Sequence, residues 1–416
     1  MRQALELARQ GIALTSPNPC VGAVLVSPNG DVIGTGSHTY AGLKHAEVLA
    51  LEAAARAGAG VHGATLYVNL EPCCHQGRTA PCADALIAAG IRRVVAAMPD
   101  PNPLVSGQGF QRLRAAGIEV IEGVWLQEAQ KLNEAFARYI RTHTPLVTLK
   151  AAMTLDGKIA PPPAGAHSGI PPSGGWITSP AARAHVHELR HASDAIMVGV
   201  GTIIADDPLL TDRTGKPRRR PLLRVILDSR LRLPLTSRVV KTTQHDVLVL
   251  CAFAEEKKRK ALESHGMRVE QIALPHMPGA VSSAKVKRMP VRRRTGTGAP
   301  IRPQNILTAS DGRPDLRKVM ARLGEMEITS VLVEGGALVN WTALAAGVVD
   351  KVFLYYAPKI LAGVGSVPFA SGEGFQRISD AAAVSRVTIH HFGEDFAVEG
   401  YLRDPFQQAM GTLTAL

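Results

Sequence analysis

The residues of this chain best suited by type and order to do chemistry together are His45, Glu47, Cys73 and Cys82, set in His45-Ala46-Glu47, Pro72-Cys73 and Pro81-Cys82. One imidazole and two thiolates fill three corners of a zinc tetrahedron and leave the fourth for water. Two thiolates also balance the charge of the ion, so one zinc per chain could sit stably in a partly dry pocket. Zinc lowers the pKa of a bound water to about 7. Glu47, two residues from the ligand His45 at an expected helix start, can carry a proton from that water to a leaving amine. Cys82 follows Pro81 at another expected helix start, where the helix dipole favours thiolate.

A purely structural zinc is usually closed by four protein ligands. Only three are well placed here, beside a carboxylate with no ligand role, so the pattern points to catalysis. Cys74 adjoins Cys73, but its side chain should point the other way. His75 is a ligand in principle and is better suited to a substrate pocket. Cys20 and Cys251 are most simply small buried apolar groups. Five cysteines placed this unevenly make no disulfide framework.

The elements that must position these groups follow from the hydrophobic pattern. A helix is expected over Arg2–Gln10, then strands Val21–Ser27 and Val32–Gly36 around a Pro28-Asn29-Gly30 turn. Next come helix His45–Ala57, strand Ala64–Leu70, helix Cys82–Ala89, strand Arg93–Ala97, helix Gly109–Ala116, strand Glu119–Glu122 and helix Leu126–Ile140. Thr142–Pro145 is the expected hinge. A second α/β region starts at strand Leu146–Ala151 and continues through strands near Ala195–Val200, Leu222–Asp228, Asp246–Cys251, Ser330–Glu334 and Asp350–Tyr356. Strands separated by helices imply sheets covered on both faces. The length of 416 residues also suits two domains, expected at 1–144 and 145–416.

The net charge of +12 is unevenly spread. Seven basic residues and no acidic one lie between Glu270 and Asp311, which leaves 40 basic against 35 acidic residues elsewhere. Residues 276–305, rich in Pro, Gly, Ser and Arg, are expected to form a flexible basic surface insertion rather than a nucleic-acid arm. Aromatic residues are only 4% of the chain, which offers no base-stacking surface. No apolar run is long enough to cross a bilayer, and Met1–Ala13 lacks the continuous apolar stretch of a secretory signal. The expected location is the cytoplasm, with no membrane partner.

The order H-x-E…P-C…C is the pattern of zinc nucleobase deaminases. Within that class, Ser16-Pro17-Asn18-Pro19, Ala41-Gly42, His45-Ala46-Glu47-Val48, Leu70-Glu71-Pro72-Cys73-Cys74-His75-Gln76-Gly77-Arg78-Thr79-Ala80-Pro81-Cys82 and Asp100-Pro101-Asn102-Pro103 resemble the bacterial bifunctional riboflavin biosynthesis family. Eight residues separate the two cysteines here, as in that family, where cytidine and tRNA adenosine deaminases usually have two. The resemblance implies a cytidine-deaminase-like α/β/α domain. It also implies a pyrimidine pocket lined by Asn18, His75 and Thr79.

Read alone, the second half is less telling. Gly199-Val200-Gly201 lacks the third glycine of a Rossmann fingerprint. Glu334-Gly335-Gly336 ends a strand and opens a helix, where backbone N–H groups could hold a phosphate. The family resemblance continues through Lys150–Lys158, Trp176–Ser179, Ala205–Thr211, Leu227–Ser229 and Val333–Gly336. It implies a dihydrofolate-reductase-like α/β domain that uses NADPH. By that resemblance Ala152, Trp176, Thr202, Asp206, Ser229 and the turn Gly336, Ala337, Leu338, Val339, Asn340, Trp341 and Thr342 contact the cofactor. Gly174, Arg190, Leu210, Arg213 and Glu334 contact the substrate; at Gly174 the family tends to have Ser.

The implied substrate is a small pyrimidine ribosyl phosphate, which Arg190 and Arg213 can clasp with forked, charge-assisted bonds. Reduction of its ribosyl group to ribityl needs hydride delivered to C1′ of the open sugar. No general acid stands out, with Asp206 and Glu334 the candidates. Family members associate through the reductase half, so a homo-oligomer is expected. The competing assignment is an editing deaminase of nucleic acid, opposed by the cysteine spacing and by a whole second domain without stacking aromatics.

Overall fold

The computed structural model describes residues 1–40, 44–75, 80–162, 175–272, 274 and 312–406. Thr79, Gly174 and the basic segment 276–305 therefore lie outside the described residues.

The N-terminal half carries strands β1 (Gly22–Val26), β2 (Val32–Ser37), β3 (Thr65–Val68), β4 (Arg93–Ala96) and β5 (Glu119–Ile121). They form one sheet in the order β2-β1-β3-β4-β5. β1 runs antiparallel to β2 and β3, whereas β3, β4 and β5 are parallel. Around it lie helices α1 (Arg2–Arg9), α2 (Ala46–Arg56), α3 (Cys82–Ala88), α4 (Gln108–Ala115), α5 (Leu126–Leu132) and α6 (Glu134–Thr142). Leu25, Leu66, Val68, Val94 and Ala96 from the sheet meet Leu5, Ala50, Leu86 and Phe110 from the helices in one fully buried core. Gly22, Gly34 and Gly36 let helices approach the sheet: a Cβ on Gly22 would stand 2.1 Å from the Ala4 carbonyl oxygen.

The helix expected over Leu126–Ile140 is two helices, α5 and α6, that meet at Asn133. Asn133 is buried, and its amide brackets Cys20, accepting from the Cys20 N–H at 2.8 Å and donating to the Cys20 carbonyl at 3.1 Å. A buried Asn that satisfies another segment's backbone competes with helix continuity at its own position.

The second half carries strands β6 (Leu146–Thr154), β7 (Lys158–Ala160), β8 (Ala195–Gly199), β9 (Leu223–Leu227), β10 (Val247–Cys251), β11 (Arg268–Gln271), β12 (Ser330–Val333), β13 (Lys351–Ala357), β14 (Val367–Pro368), β15 (Ser385–Phe392) and β16 (Asp395–Tyr401). Nine of them form a sheet ordered β11-β10-β9-β8-β12-β6-β13-β16-β15, and β7 pairs with β14. The run from β11 to β13 is parallel; β16 and β15 are added antiparallel. Helices α7 (Pro180–Ala192), α8 (Val200–Asp206), α9 (Arg238–Lys241), α10 (Glu256–Glu263), α11 (Leu316–Glu325) and α12 (Ala337–Ala345) complete the half.

Alternation along the central strands explains why both faces are covered. Met197, Val225, Leu248 and Leu250 face Val319, Leu323 and Ala343 of α11 and α12. Their neighbours Ile196, Val198, Ile226 and Val249 face Ile203, Val239 and Leu262 of α8, α9 and α10. The hairpin β15–β16 was not anticipated from sequence. Its β15 is mostly exposed, so no hydrophobic run marks it.

The halves touch through buried charge. Lys351 Nζ lies 2.6 Å from Glu134 Oε1 on α6 and 2.7 Å from Glu399 Oε1 on β16. Lys131 of α5 reaches Glu399 Oε2 at 2.8 Å. The chain's return past β16 also packs Phe406 on the N-terminal core, and Arg141 Nη1 donates to the Pro405 carbonyl at 2.7 Å.

Candidate active sites

His45 occupies the N-cap position of α2, with extended backbone at φ −78° and ψ 157°. That places its imidazole and the first-turn carboxylate of Glu47 at the same helix end. Cys82 opens α3, and Cys73 lies in the loop after β3, docked by the Ala83 N–H donating to its carbonyl at 3.1 Å. Among the described residues, the ligand atoms of His45, Cys73 and Cys82 converge within 4.8 Å of one another. His45 Nδ1 is 3.1 Å from Cys82 Sγ and 3.4 Å from Cys73 Sγ. In tetrahedral zinc, N and S ligands stand roughly 3.6 Å apart, from bonds of about 2.1 and 2.3 Å. The two nitrogen–sulfur separations are therefore within about half an ångström of those around the ion. Cys74 and His75 are outside the cluster; Cys74 Sγ points to Gln108 Oε1 at 4.0 Å, and His75 is exposed.

The electrostatics agree with a thiolate site. The Cys82 thiol, hydrogen-bonded to Cys73, holds Cys73 down to about 4, against burial and with further help from His45. Cys82 is pushed up in turn, so the pair shares one proton. Burial pushes Glu47 up to about 7, and its Oε2 is fully buried with no hydrogen-bond partner. An orphaned carboxylate oxygen in the interior is costly unless it serves something.

Asn18 Nδ2 stands 3.2 Å from His38 Nε2, and His38 Nδ1 stands 2.8 Å from the Lys44 carbonyl oxygen. A carbonyl only accepts, so Nδ1 carries the proton and Nε2 accepts from Asn18. The His38 ring meets the His45 ring edge-on at 5.5 Å. Asn18 is thus tied to the ligand side of the pocket.

Glu71 has a role that the sequence reading missed. Its two oxygens accept from the N–H groups of Asp100, Gly107 and Gly109 at 2.9, 2.9 and 2.8 Å. It ties the Asp100-Pro101-Asn102-Pro103 turn and the start of α4 to the segment that supplies Cys73. Gly109 must be glycine, because a Cβ there would stand 2.1 Å from the Pro72 carbonyl oxygen.

In the second half, the middle of β6 and the end of β12 bring Lys150 and Glu334 together, with Ala152 two residues further along β6. Arg190 on α7 closes Nε and Nη2 on the Glu334 carboxylate at 2.6 and 3.0 Å, and Lys150 Nζ lies 3.4 Å away. Burial opposes ionisation of Glu334, but the two cations hold it down to about 2. Arg190 Nη1 also donates to the Thr211 carbonyl at 3.0 Å, so three of its five N–H donors are engaged within the chain. Leu210 is buried with φ 56°, a left-handed conformation that its neighbours must enforce. Arg213 is exposed and has no hydrogen bond or ion pair among the described residues. Lys150 was passed over at the sequence level; the sign was a cation inside an otherwise buried strand pattern.

The turn after Glu334 runs into α12 with Gly336 as N-cap. A Cβ on Gly335 would lie 2.5 Å from Val339 Cβ, and one on Gly199 2.8 Å from Val339 Cγ2. Only glycine lets this helix end approach the strand ends so closely. Thr202 Oγ1 lies beside Gly336, 3.5 Å from where a Cβ would stand. Asn340 donates to the Phe369 carbonyl at 2.7 Å, while its buried Oδ1 has no partner. Burial raises Asp206 at the end of α8. Ser229 follows β9, its carbonyl accepting from Ala252 and Phe253 at 3.2 and 2.9 Å. Trp176 is 72% exposed beneath the Arg183 guanidinium at 4.7 Å. No hydrogen bond joins Trp176, Asp206 or Ser229 to the α12 turn among the described residues.

Two family models match the chain. The RibD C-terminal domain covers residues 145–398, and the cytidine and deoxycytidylate deaminase zinc-binding region covers residues 1–98. The riboflavin biosynthesis protein RibD of Actinobacillus pleuropneumoniae is 38% identical over 405 residues, covering 97% of this chain and 95% of that protein. RibD of Aquifex aeolicus is 39% identical over 399 residues, covering 96% of each. Among solved structures, Acinetobacter baumannii RibD superposes with a TM-score of 0.73 at 33% identity, covering 96% of this chain and 97% of that one. The diaminohydroxyphosphoribosylaminopyrimidine deaminase/5-amino-6-(5-phosphoribosylamino)uracil reductase of Thermotoga maritima does so with 0.73 at 35% identity and the same coverage.

Proposed function

The chain belongs to the riboflavin biosynthesis protein RibD family, and from that premise we propose how its residues divide the work. The enzyme is a bifunctional deaminase and reductase of riboflavin biosynthesis, with a zinc-binding, cytidine-deaminase-like N-terminal domain and an NADPH-dependent, dihydrofolate-reductase-like C-terminal domain. We place the boundary at residues 144 and 145. The separate sheets and the separate hydrophobic cores of the two halves support it.

In the deaminase, His45, Cys73 and Cys82 would hold zinc, which when bound would supply Lewis-acid activation of water. Glu47 takes a proton at its free Oε2 and delivers it to the departing amine, so that water oxygen replaces nitrogen and ammonia leaves. Asn18, His75 and Thr79 bind the pyrimidine of 2,5-diamino-6-(5-phosphoribosylamino)pyrimidin-4-one.

In the reductase, the start of α12 (Gly336–Thr342) with Ala152, Trp176, Thr202, Asp206 and Ser229 would cradle NADPH, which when bound would supply hydride to the opened ribosyl carbon. The orphaned Asn340 Oδ1 and the close-packed Gly335 support a ligand at that turn. Arg213 meets the phosphate with its free fork; Gly174, Leu210 and the remaining Arg190 donors line the same pocket. Lys150, held by Glu334, is the group we assign to deliver the proton that completes reduction. The product is 5-amino-6-(5-phosphoribosylamino)uracil with its ribosyl group reduced to ribityl.

No helix among the described residues is long and apolar enough to cross a membrane. We place the enzyme in the cytoplasm, acting on a small molecule and not on nucleic acid. We also propose a homo-oligomer formed through the reductase half, where Val387 and Ile389 expose 54% and 57% of their surface on the edge strand β15.

The observation that carries the assignment is the unpartnered, buried Glu47 oxygen beside three converging ligand atoms. Stripping the enzyme with a chelator tests it. Deamination should vanish and return with zinc, while reduction of the deaminated substrate continues throughout; deamination that survives metal removal contradicts it.

A further inference from the structure

The loop that carries Asn18 is held from outside its own half. Ser16 Oγ donates to Asp194 Oδ2 at 2.7 Å and accepts from Arg220 Nη2 at 3.1 Å. The Ser16 carbonyl accepts from Arg219 Nη2 at 2.6 Å, and the Arg219 backbone N–H donates to the Ala13 carbonyl at 2.9 Å. The same Arg219 guanidinium lies 3.9 Å from the centroid of the Tyr40 ring. Ser16 stands just ahead of Asn18, and Tyr40 lies between His38 and His45. One side chain from the reductase half therefore bridges Tyr40, which follows the Asn18 partner His38, and the loop that supplies the pyrimidine-binding amide.

This contact differs in kind from the other joints between the halves. The Lys351–Glu134–Glu399 cluster attaches α6 to β13 and β16, and the Arg141–Pro405 bond attaches α6 to the chain's return. Neither touches a segment that carries a pocket residue. A planar guanidinium that donates to a carbonyl and stacks on a ring fixes the distance and angle between both partners. Asp194 is itself anchored, accepting from Thr329 N–H and Oγ1–H at 2.8 Å each, so the grip on Ser16 comes from a rigid strand end.

Building on the assignment of the N-terminal pocket as the deaminase, we propose that Arg219 of the reductase half is a positioning residue for deamination, setting the Ser16–Asn18 loop against Tyr40 and so against His38, the partner of Asn18. The deaminase pocket is then completed only in the joined chain, although every zinc ligand lies before the boundary. Preorganisation of a binding loop acts first on substrate affinity.

Full-length Arg219→Ala, Arg219→Lys, Arg219→Gln and Ser16→Ala variants test this, with deamination and reduction assayed separately and zinc content measured. Arg219→Ala should raise the deaminase KM about tenfold while kcat changes much less. Its zinc content and its reduction of deaminated substrate should match wild type. Arg219→Lys should recover part of the loss, since an ammonium can still reach the Ser16 carbonyl and the ring. Ser16→Ala keeps the backbone carbonyl that Arg219 holds and removes the side-chain contacts with Asp194 and Arg220, so its deaminase KM should rise less; Arg219→Gln decides the matter if Arg219→Ala does not fold. An unchanged deaminase KM in these variants overturns the proposal. So does a joint fall of deamination, reduction and zinc content, which would make Arg219 a stability residue alone. A wild-type enzyme that deaminates nothing overturns the underlying reading of the zinc site instead.

Discussion

Arg190 and Glu334 form a two-pronged ion pair, Nε and Nη2 standing 2.6 and 3.0 Å from the two carboxylate oxygens, with Lys150 as a third charge. Replacing Glu334 by Gln leaves two cations facing each other in a largely buried site. Breaking a buried pair in this way costs about 3–5 kcal/mol. Glu334 is held at about 2 in the folded enzyme, below its ordinary 4.5. Its ionic stabilisation is therefore fully present above about 4.5 and fades as pH falls toward 2. Urea unfolding of wild type and Glu334→Gln should show a wide gap at pH 7 that narrows steadily through that window. A gap independent of pH would assign the loss to packing.

Glu47→Gln should keep the metal and lose deamination. The amide preserves shape but cannot carry the proton, and removal of a general acid–base group lowers turnover by roughly 10²–10⁴-fold. Zinc measured by atomic emission should stay at one per chain, and reduction of the deaminated substrate should be unaffected. Loss of zinc would make Glu47 a ligand-side support instead.

Legibility from sequence followed the chemistry. His45, Glu47 and Cys82 could be found because they stand at local helix starts, and Cys73 because it repeats the Pro-Cys pair, and the structure brings the three ligand atoms to one place. Central strands β8, β9 and β10 could be found because they are buried on both faces and read as apolar runs. The break at Asn133, the grip of Glu71 and the ion pair of Lys150 with Glu334 could not. Each depends on a partner far away in sequence, and no local pattern encodes which backbone or charge a polar side chain will meet. The exposed β15 was hidden for a different reason: an edge strand without a buried face carries no alternation.

Arg213→Ala should mainly raise the reductase KM for the ribosyl phosphate. Arg213 is exposed and unpaired among the described residues, so its loss should not disturb the fold. A forked phosphate contact made equally in ground and transition states is uniform binding, and losing it costs about 1.5–3 kcal/mol, or about ten- to a hundredfold. Fluorescence titration should find NADPH affinity nearly unchanged. A collapse of NADPH binding with an unaltered substrate KM would move Arg213 to the cofactor site.

Lys351→Met should strip the charge that Glu134 and Glu399 share across the two halves. Lys351 is buried, and although burial opposes its charge, the two carboxylates raise its pKa. Two carboxylates left facing each other without it should destabilise the enzyme by about 3–5 kcal/mol. Restoring neutrality with Glu399→Gln in the same chain should recover part of the loss, measured as a shift in thermal midpoint. Equal stability of Lys351→Met and wild type would show that the cluster contributes little.

The central claim is that one chain performs a zinc-dependent deamination and then an NADPH-dependent reduction on the same pyrimidine ribosyl phosphate. Incubating the purified enzyme with 2,5-diamino-6-(5-phosphoribosylamino)pyrimidin-4-one, with and without NADPH, and weighing the products by mass spectrometry tests it most directly. Without NADPH, one amine should be replaced by oxygen and the reaction should stop there; with NADPH, the same product should gain two hydrogens. Reduction without prior deamination, or no exchange of nitrogen for oxygen in the zinc-loaded enzyme, would contradict it.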